Sequence, residues 1–174
     1  MKFQKGVGLM EVMICILVLG IAVLGFIALQ YRSLELASEA LKKVEAANLA
    51  SNLAERMFVN RTIYTKDGDK GLIDGGNTDH CLTANSEKGK AEYVYCSAED
   101  FVAKDIADIQ QIAAQKNMNL NVWECPKTDN KRLCIYVGWD DTNAIKGEED
   151  KNACTPVDEF KYYSNSKCIV IEAF

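Results

Sequence analysis

From Val12 to Leu29 the chain passes through 18 consecutive residues that are apolar or glycine. No other feature restricts the fold so tightly. A helix needs about 20 apolar residues to cross a bilayer, so this run is long enough to be a membrane segment. A secretory signal peptide has an apolar region of roughly 7–15 residues, then a small-residue cleavage site. Here the run is longer, and Gln30-Tyr31-Arg32 after it offers no such site. A plain anchor fits the length but leaves Glu11, at its edge, without a role. Deep in hydrocarbon a carboxylate costs up to about 2.5–3.5 kcal/mol. At the headgroups, or against the positive end of a helix, it costs little.

Beyond the run the chain is polar and acidic, with a net charge of -5. Such a body repels phosphate and carries no basic patch, so nucleic acid is not an expected partner. Seven cysteines are many for a chain of 174 residues kept in a reducing compartment. Cys15 lies inside the apolar run, apart from Cys81, Cys96, Cys125, Cys134, Cys154 and Cys168 in the polar body. An even set beyond a membrane segment reads as a disulfide framework in an oxidising compartment. Zinc would require close pairs such as C-x-x-C, and no two cysteines here are nearer than nine positions. Sequential pairing is the expected connectivity: Cys81 with Cys96, Cys125 with Cys134, Cys154 with Cys168. No metal or other cofactor is expected. With one histidine, no nucleophile elbow and no phosphate loop, the chain does not read as an enzyme.

Gln30 to about Asn60 holds neither Pro nor Gly, and helix formers dominate. Leu34, Ala37, Leu41, Val44, Leu49, Leu53 and Met57 recur at intervals of three to five, one slowly drifting helical face. Arg32, Glu35, Glu39, Lys42, Lys43 and Glu45 stand opposite. A coiled coil would carry such a stripe, but Ala47, Asn48 and Ala50 break a strict heptad, and a face lying on a sheet fits better. Thr65 to Asn85 reads as a loop, rich in Gly and Asp. Its Asp67-Gly68-Asp69 invites calcium, yet an EF-hand loop needs Gly and Glu where Leu72 and Thr78 stand. His80 reads as a solvated loop side chain.

Ser97-Ala98-Glu99-Asp100 predicts the start of a second helix, continuing through Val102, Ile106, Ile109 and Ala113 to about Lys116. Leu120 to Cys125 and Leu133 to Trp139, separated by the turn-rich Pro126 to Lys131, predict an antiparallel hairpin. Asp140 to Asn165 is polar, and Cys168 to Phe174 predicts a last strand. The fold class is therefore α+β, a long N-terminal helix packed on a small antiparallel sheet. Trp123 and Trp139 are expected in the core.

The first residues, Met1 to Glu11, carry a second layer of information. A short basic leader ends at Lys5-Gly6, Val7 follows the glycine, and Glu11 stands fifth after it, directly before the apolar run. This arrangement resembles the class III signal of type IV prepilins. The resemblance implies cleavage after Gly6 by a prepilin peptidase, N-methylation of Val7, and Glu11 as the carboxylate that meets a neighbour's terminal ammonium during assembly. Gly20 falls where major pilins have a helix-loosening glycine, while Ala28 replaces their proline. The stretch from Cys96 through Asp105-Ile106 to Trp139-Asp140 is similar to PilV-type minor pilins.

These resemblances imply a pilin fold in four parts: a leader, 1–6; a transmembrane part of the helix, 7–29; its amphipathic part, 30–60; and a disulfide-bonded head, 61–174. They imply a minor pilin in an inner-membrane complex that primes assembly and ends near the tip of a cell-surface fibre. Its expected partners are other minor pilins, the major pilin, the inner-membrane assembly machinery and membrane lipid. A minor pseudopilin of type II secretion shares the leader and helix, and an adhesive module on a pilin stalk is a third reading.

Overall fold

The computed structural model describes residues 8–64, 84–85, 92–93, 97–128 and 132–173. Gly6, Val7, the Asp67-Gly68-Asp69 loop, His80, Cys81 and Cys96 lie outside the described residues. The chain divides into two compact units, Met1–Leu41 and Lys42–Phe174. Helix α1, Leu9–Val59, belongs to both.

From Val12 to Leu29, within the first unit, α1 is apolar on all sides. Its large side chains, from Leu9 and Met10 through Leu24 and Leu29, are exposed. A helix apolar all round is suited to lipid or to a bundle of like helices. By length and composition α1 can cross a membrane. The helix continues unbroken through Gly20 and Gly25.

The second unit is α+β. Helix α1 contributes Ala46, Leu49, Ala50, Leu53 and Met57 to its core, all buried. This corrects the expected stripe: Leu34, Leu41 and Val44 are exposed. The globular unit starts only at Lys42, so the sheet-facing stripe begins there. A four-residue helix α2, Arg61–Tyr64, follows, then two short paired strands, β1 (Ala84–Asn85) and β2 (Glu92–Tyr93).

Helix α3, Ala98–Gln115, forms where the sequence places it. The Ser97 hydroxyl caps it by accepting from the Asp100 amide at 3.1 Å. It ends where Asn117 takes a left-handed φ of 54°, a conformation asparagine tolerates better than most residues. The hairpin follows as β3 (Met118–Glu124) and β4 (Leu133–Trp139), with Trp123 opposite Cys134. Strand β7, Cys168–Glu172, pairs antiparallel with β4, giving the order β3-β4-β7.

Every residue of the central strand β4 is buried. Leu133, Ile135, Val137 and Trp139 join the core formed with α1 and α3. Cys134 and Tyr136 join a second cluster with Cys125, Ala144, Cys154 and Cys168. Alternation along the strand thus feeds two apolar layers, one on each face. Trp123 is half-buried against the second layer.

The polar stretch after β4 contains two short strands that the sequence reading did not predict. These are β5 (Asn143–Lys146) and β6 (Ala153–Thr155), paired in parallel around a 3-10 turn at Glu149–Lys151. Strand β5 lies across the face of β3 and β4 that carries the cysteine layer, bridged to β3 by a side chain. Asn119 donates its amide to the Thr142 carbonyl at 2.9 Å and accepts from the Ala144 amide. A Cβ at Gly138 would meet the Thr142 carbonyl, so this close approach requires glycine.

Candidate assembly surface

Glu11 lies in the first turn of α1, its amide donating to the Gly8 carbonyl at 2.9 Å. Its carboxylate is exposed on a surface shared with Val12, Cys15, Ile16 and Leu19. It is the single acidic side chain between Leu9 and Leu34. It places one charge on an otherwise apolar rod, where a cation brought by another molecule would be strongly favoured once water is excluded.

The head is organised by two carboxylates. Asp105, on α3, is mostly buried and accepts from the Arg56 guanidinium of α1 at 2.6 Å. Arg56 also donates to the Asn52 side chain at 2.9 Å, which fixes the guanidinium plane. Beside this pair the Tyr64 hydroxyl is enclosed and has no hydrogen-bond partner among the described residues. Burial pushes its phenol well above the usual range, the Asp105 charge adds to the shift, and Arg56 opposes it. Asp140 sits at the turn after β4 with a left-handed φ of 55°. It accepts from the Lys42 ammonium at 2.6 Å and from the Lys167 ammonium at 2.9 Å. The hydrogen bonds from Lys42, then Lys167, hold its carboxyl below the usual carboxylate range. One acidic side chain thereby ties α1 to the sheet corner and to the approach to β7.

The disulfides secure the opposite layer. Cys125 joins Cys134 across the end of the hairpin, with Cα atoms 5.1 Å apart. Cys154 joins Cys168, Cα atoms 5.9 Å apart, closing the segment between β6 and β7. Both are pairs of the sequential connectivity. The third expected pair, Cys81 with Cys96, lies outside the described residues, as do Gly6 and Val7. Cys15 is free and exposed.

Sequence reasoning singled out Asp105 and Asp140 but missed their cationic partners, Arg56 and Lys42. The available signal was position: Arg56 lies one residue before the buried Met57, at the border of the apolar stripe.

A long apolar helix continued into an α+β head, with a small antiparallel sheet, is the layout of the pilin fold. The family described as Tt1218-like, type IV pilin Tt1218, matches residues 28–107, and this similarity supports a type IV pilin subunit. No curated protein and no solved structure matches the chain significantly.

Proposed function

We propose that this chain is a minor pilin of a type IV pilus, made as a prepilin, cut after Gly6 and N-methylated at Val7. In this reading it waits as a single-pass protein of the inner membrane with its head in the periplasm. With other minor pilins it primes assembly and stays near the tip of the fibre. The family match over residues 28–107 supports a pilin. The observation that carries the assembly role is the exposed, all-apolar part of α1 with Glu11 as its one acid near the start.

The mechanism is electrostatic. In lipid an isolated carboxylate is unfavourable. A neighbouring subunit's terminal ammonium at Val7 supplies the counter-charge, so docking relieves the cost and sets the axial register. Glu11→Ala should leave membrane insertion and head folding intact yet block entry into fibres. Glu11→Gln, which keeps the shape and loses the charge, should also be impaired. The measurement is variant protein in sheared fibres relative to inner membrane, in cells lacking the wild-type copy. Normal incorporation of both variants would show that Glu11 is only a helix-end residue.

A further inference from the structure

Strand β7 is an edge strand among the described residues, and its outer side is closed at one point by a side chain. We propose that Tyr162 is a latch on this edge, and that once it lifts, β7 pairs strand to strand with β7 of a second copy of this chain. The inference concerns the head and does not depend on the assembly role of α1.

The Trp139 amide donates to the Lys167 carbonyl at 3.0 Å, and the Ala173 amide to the Leu133 carbonyl at 2.8 Å. Along an antiparallel strand the bonding direction alternates from residue to residue. Ile169 and Ile171 therefore face β4, while Cys168, Val170 and Glu172 turn their backbone groups outward. Val170 is the middle one of these three. Its amide donates to the Tyr162 hydroxyl at 3.0 Å. An unpaired strand edge is a template for another chain, and folded proteins cover or blunt it. Here the cover is light. Tyr162 is exposed, and its ring meets the exposed Phe160 edge to face, centroids 6.4 Å apart. Val157, earlier in the same segment, is exposed too, so Tyr162 can leave the edge without opening the core.

The register of β7 selects its own copy as the partner. An antiparallel pairing with a two-fold axis at Val170 sets Val170 against Val170, Cys168 against Glu172 and Ile169 against Ile171. All three outward residues then exchange backbone bonds with the second strand, and no like charges stand directly opposite. Ile169-Val170-Ile171 is a β-branched run, the kind of side chain that suits a paired strand. Such a contact uses the same patch on both subunits and closes on itself. Pairing exchanges one hydrogen bond to Tyr162 for a ladder of several. A single hydroxyl therefore decides the outcome only while the second strand is scarce.

The test compares the full chain with Tyr162→Phe in detergent micelles, following amide exchange along β7 by NMR at low and high protein concentration. The variant keeps the ring and removes the one oxygen to which Val170 donates, so the disulfides and the melting transition should be kept. At low concentration the Val170 amide should exchange about tenfold faster in the variant, the loss of one hydrogen bond. The Ile169 and Ile171 amides, turned toward β4, are the internal reference. At high concentration the protection of Val170 should return, because a second β7 replaces the hydroxyl. In a mixture of differently isotope-labelled copies, contacts from Val170 to Val170 should appear at that same concentration. Unchanged Val170 exchange in the variant would overturn the proposal, and so would exchange that stays fast at every concentration. Protection that returns without contacts between two β7 strands would overturn it too, since association of the apolar helices alone would then account for it.

Discussion

Asp140 accepts from two ammonium groups, and those come from distant parts of the chain, Lys42 on α1 and Lys167 before β7. Its side chain keeps 32% of its exposure, so solvent screens both contacts. Together they should contribute about 1 kcal/mol at neutral pH. Because the folded-state pKa is depressed, the contribution is present above the unfolded carboxylate pKa, about 3.9, and is lost as pH falls through the folded value. Asp140→Asn should therefore be less stable than the parent at pH 7 by about that amount. The gap should close in acid below the depressed pKa. Denaturant midpoints at several pH values check this; a gap that persists at low pH would mean that the asparagine disturbs the left-handed turn instead. Both organising acids were visible in the sequence, as Asp105 before Ile106 and Asp140 after Trp139. Their partners were not, because an ion pair spanning 98 positions is a product of tertiary folding.

Among elements, the long helix, α3, the hairpin and the last strand were legible, since each carries its own period or cap. Strands β5 and β6 were not. Asn143–Lys146 and Ala153–Thr155 are too short for alternation to register, and β5 is held to β3 through the Asn119 side chain. The membrane-proximal stripe failed for a different reason: helical periodicity identifies a face but not what lies against it. The disulfides are also element-scale features, since each ties two neighbouring segments. Their separations of 9 and 14 residues give loop-closure contributions of roughly 3 kcal/mol each. Replacing Cys125 and Cys134 together by Ala should lower stability by about that much, as should replacing Cys154 and Cys168. Because all four sulfurs share one cluster, the combined losses should not add. Denaturation of the purified variants measures this. Non-reducing peptide mapping of the parent should return both pairs, with Cys81 linked to Cys96 as the third; six free thiols would refute the framework.

For the whole molecule, the decisive experiment concerns where the mature protein begins. Intact-mass analysis of membrane or fibre material should show loss of residues 1–6 and one added methyl group on Val7. A start beyond Leu29 would mean an ordinary signal peptide and would remove the basis for the pilin reading. The α+β class and the division between apolar rod and polar head were open to sequence reading because composition changes abruptly near Gln30.

The two faces of β4 also imply an order of events. The layer toward α1 and α3 consists of aliphatic and aromatic contacts that need only collapse to form. The other layer is closed by covalent bonds among four cysteines. A head that has collapsed but not been oxidised is therefore complete on one side and unsealed on the other. Thiol oxidation would then act as a maturity checkpoint, one that only an oxidising compartment lets the chain pass. A subunit that fails it would present an unfinished face to every neighbour it meets.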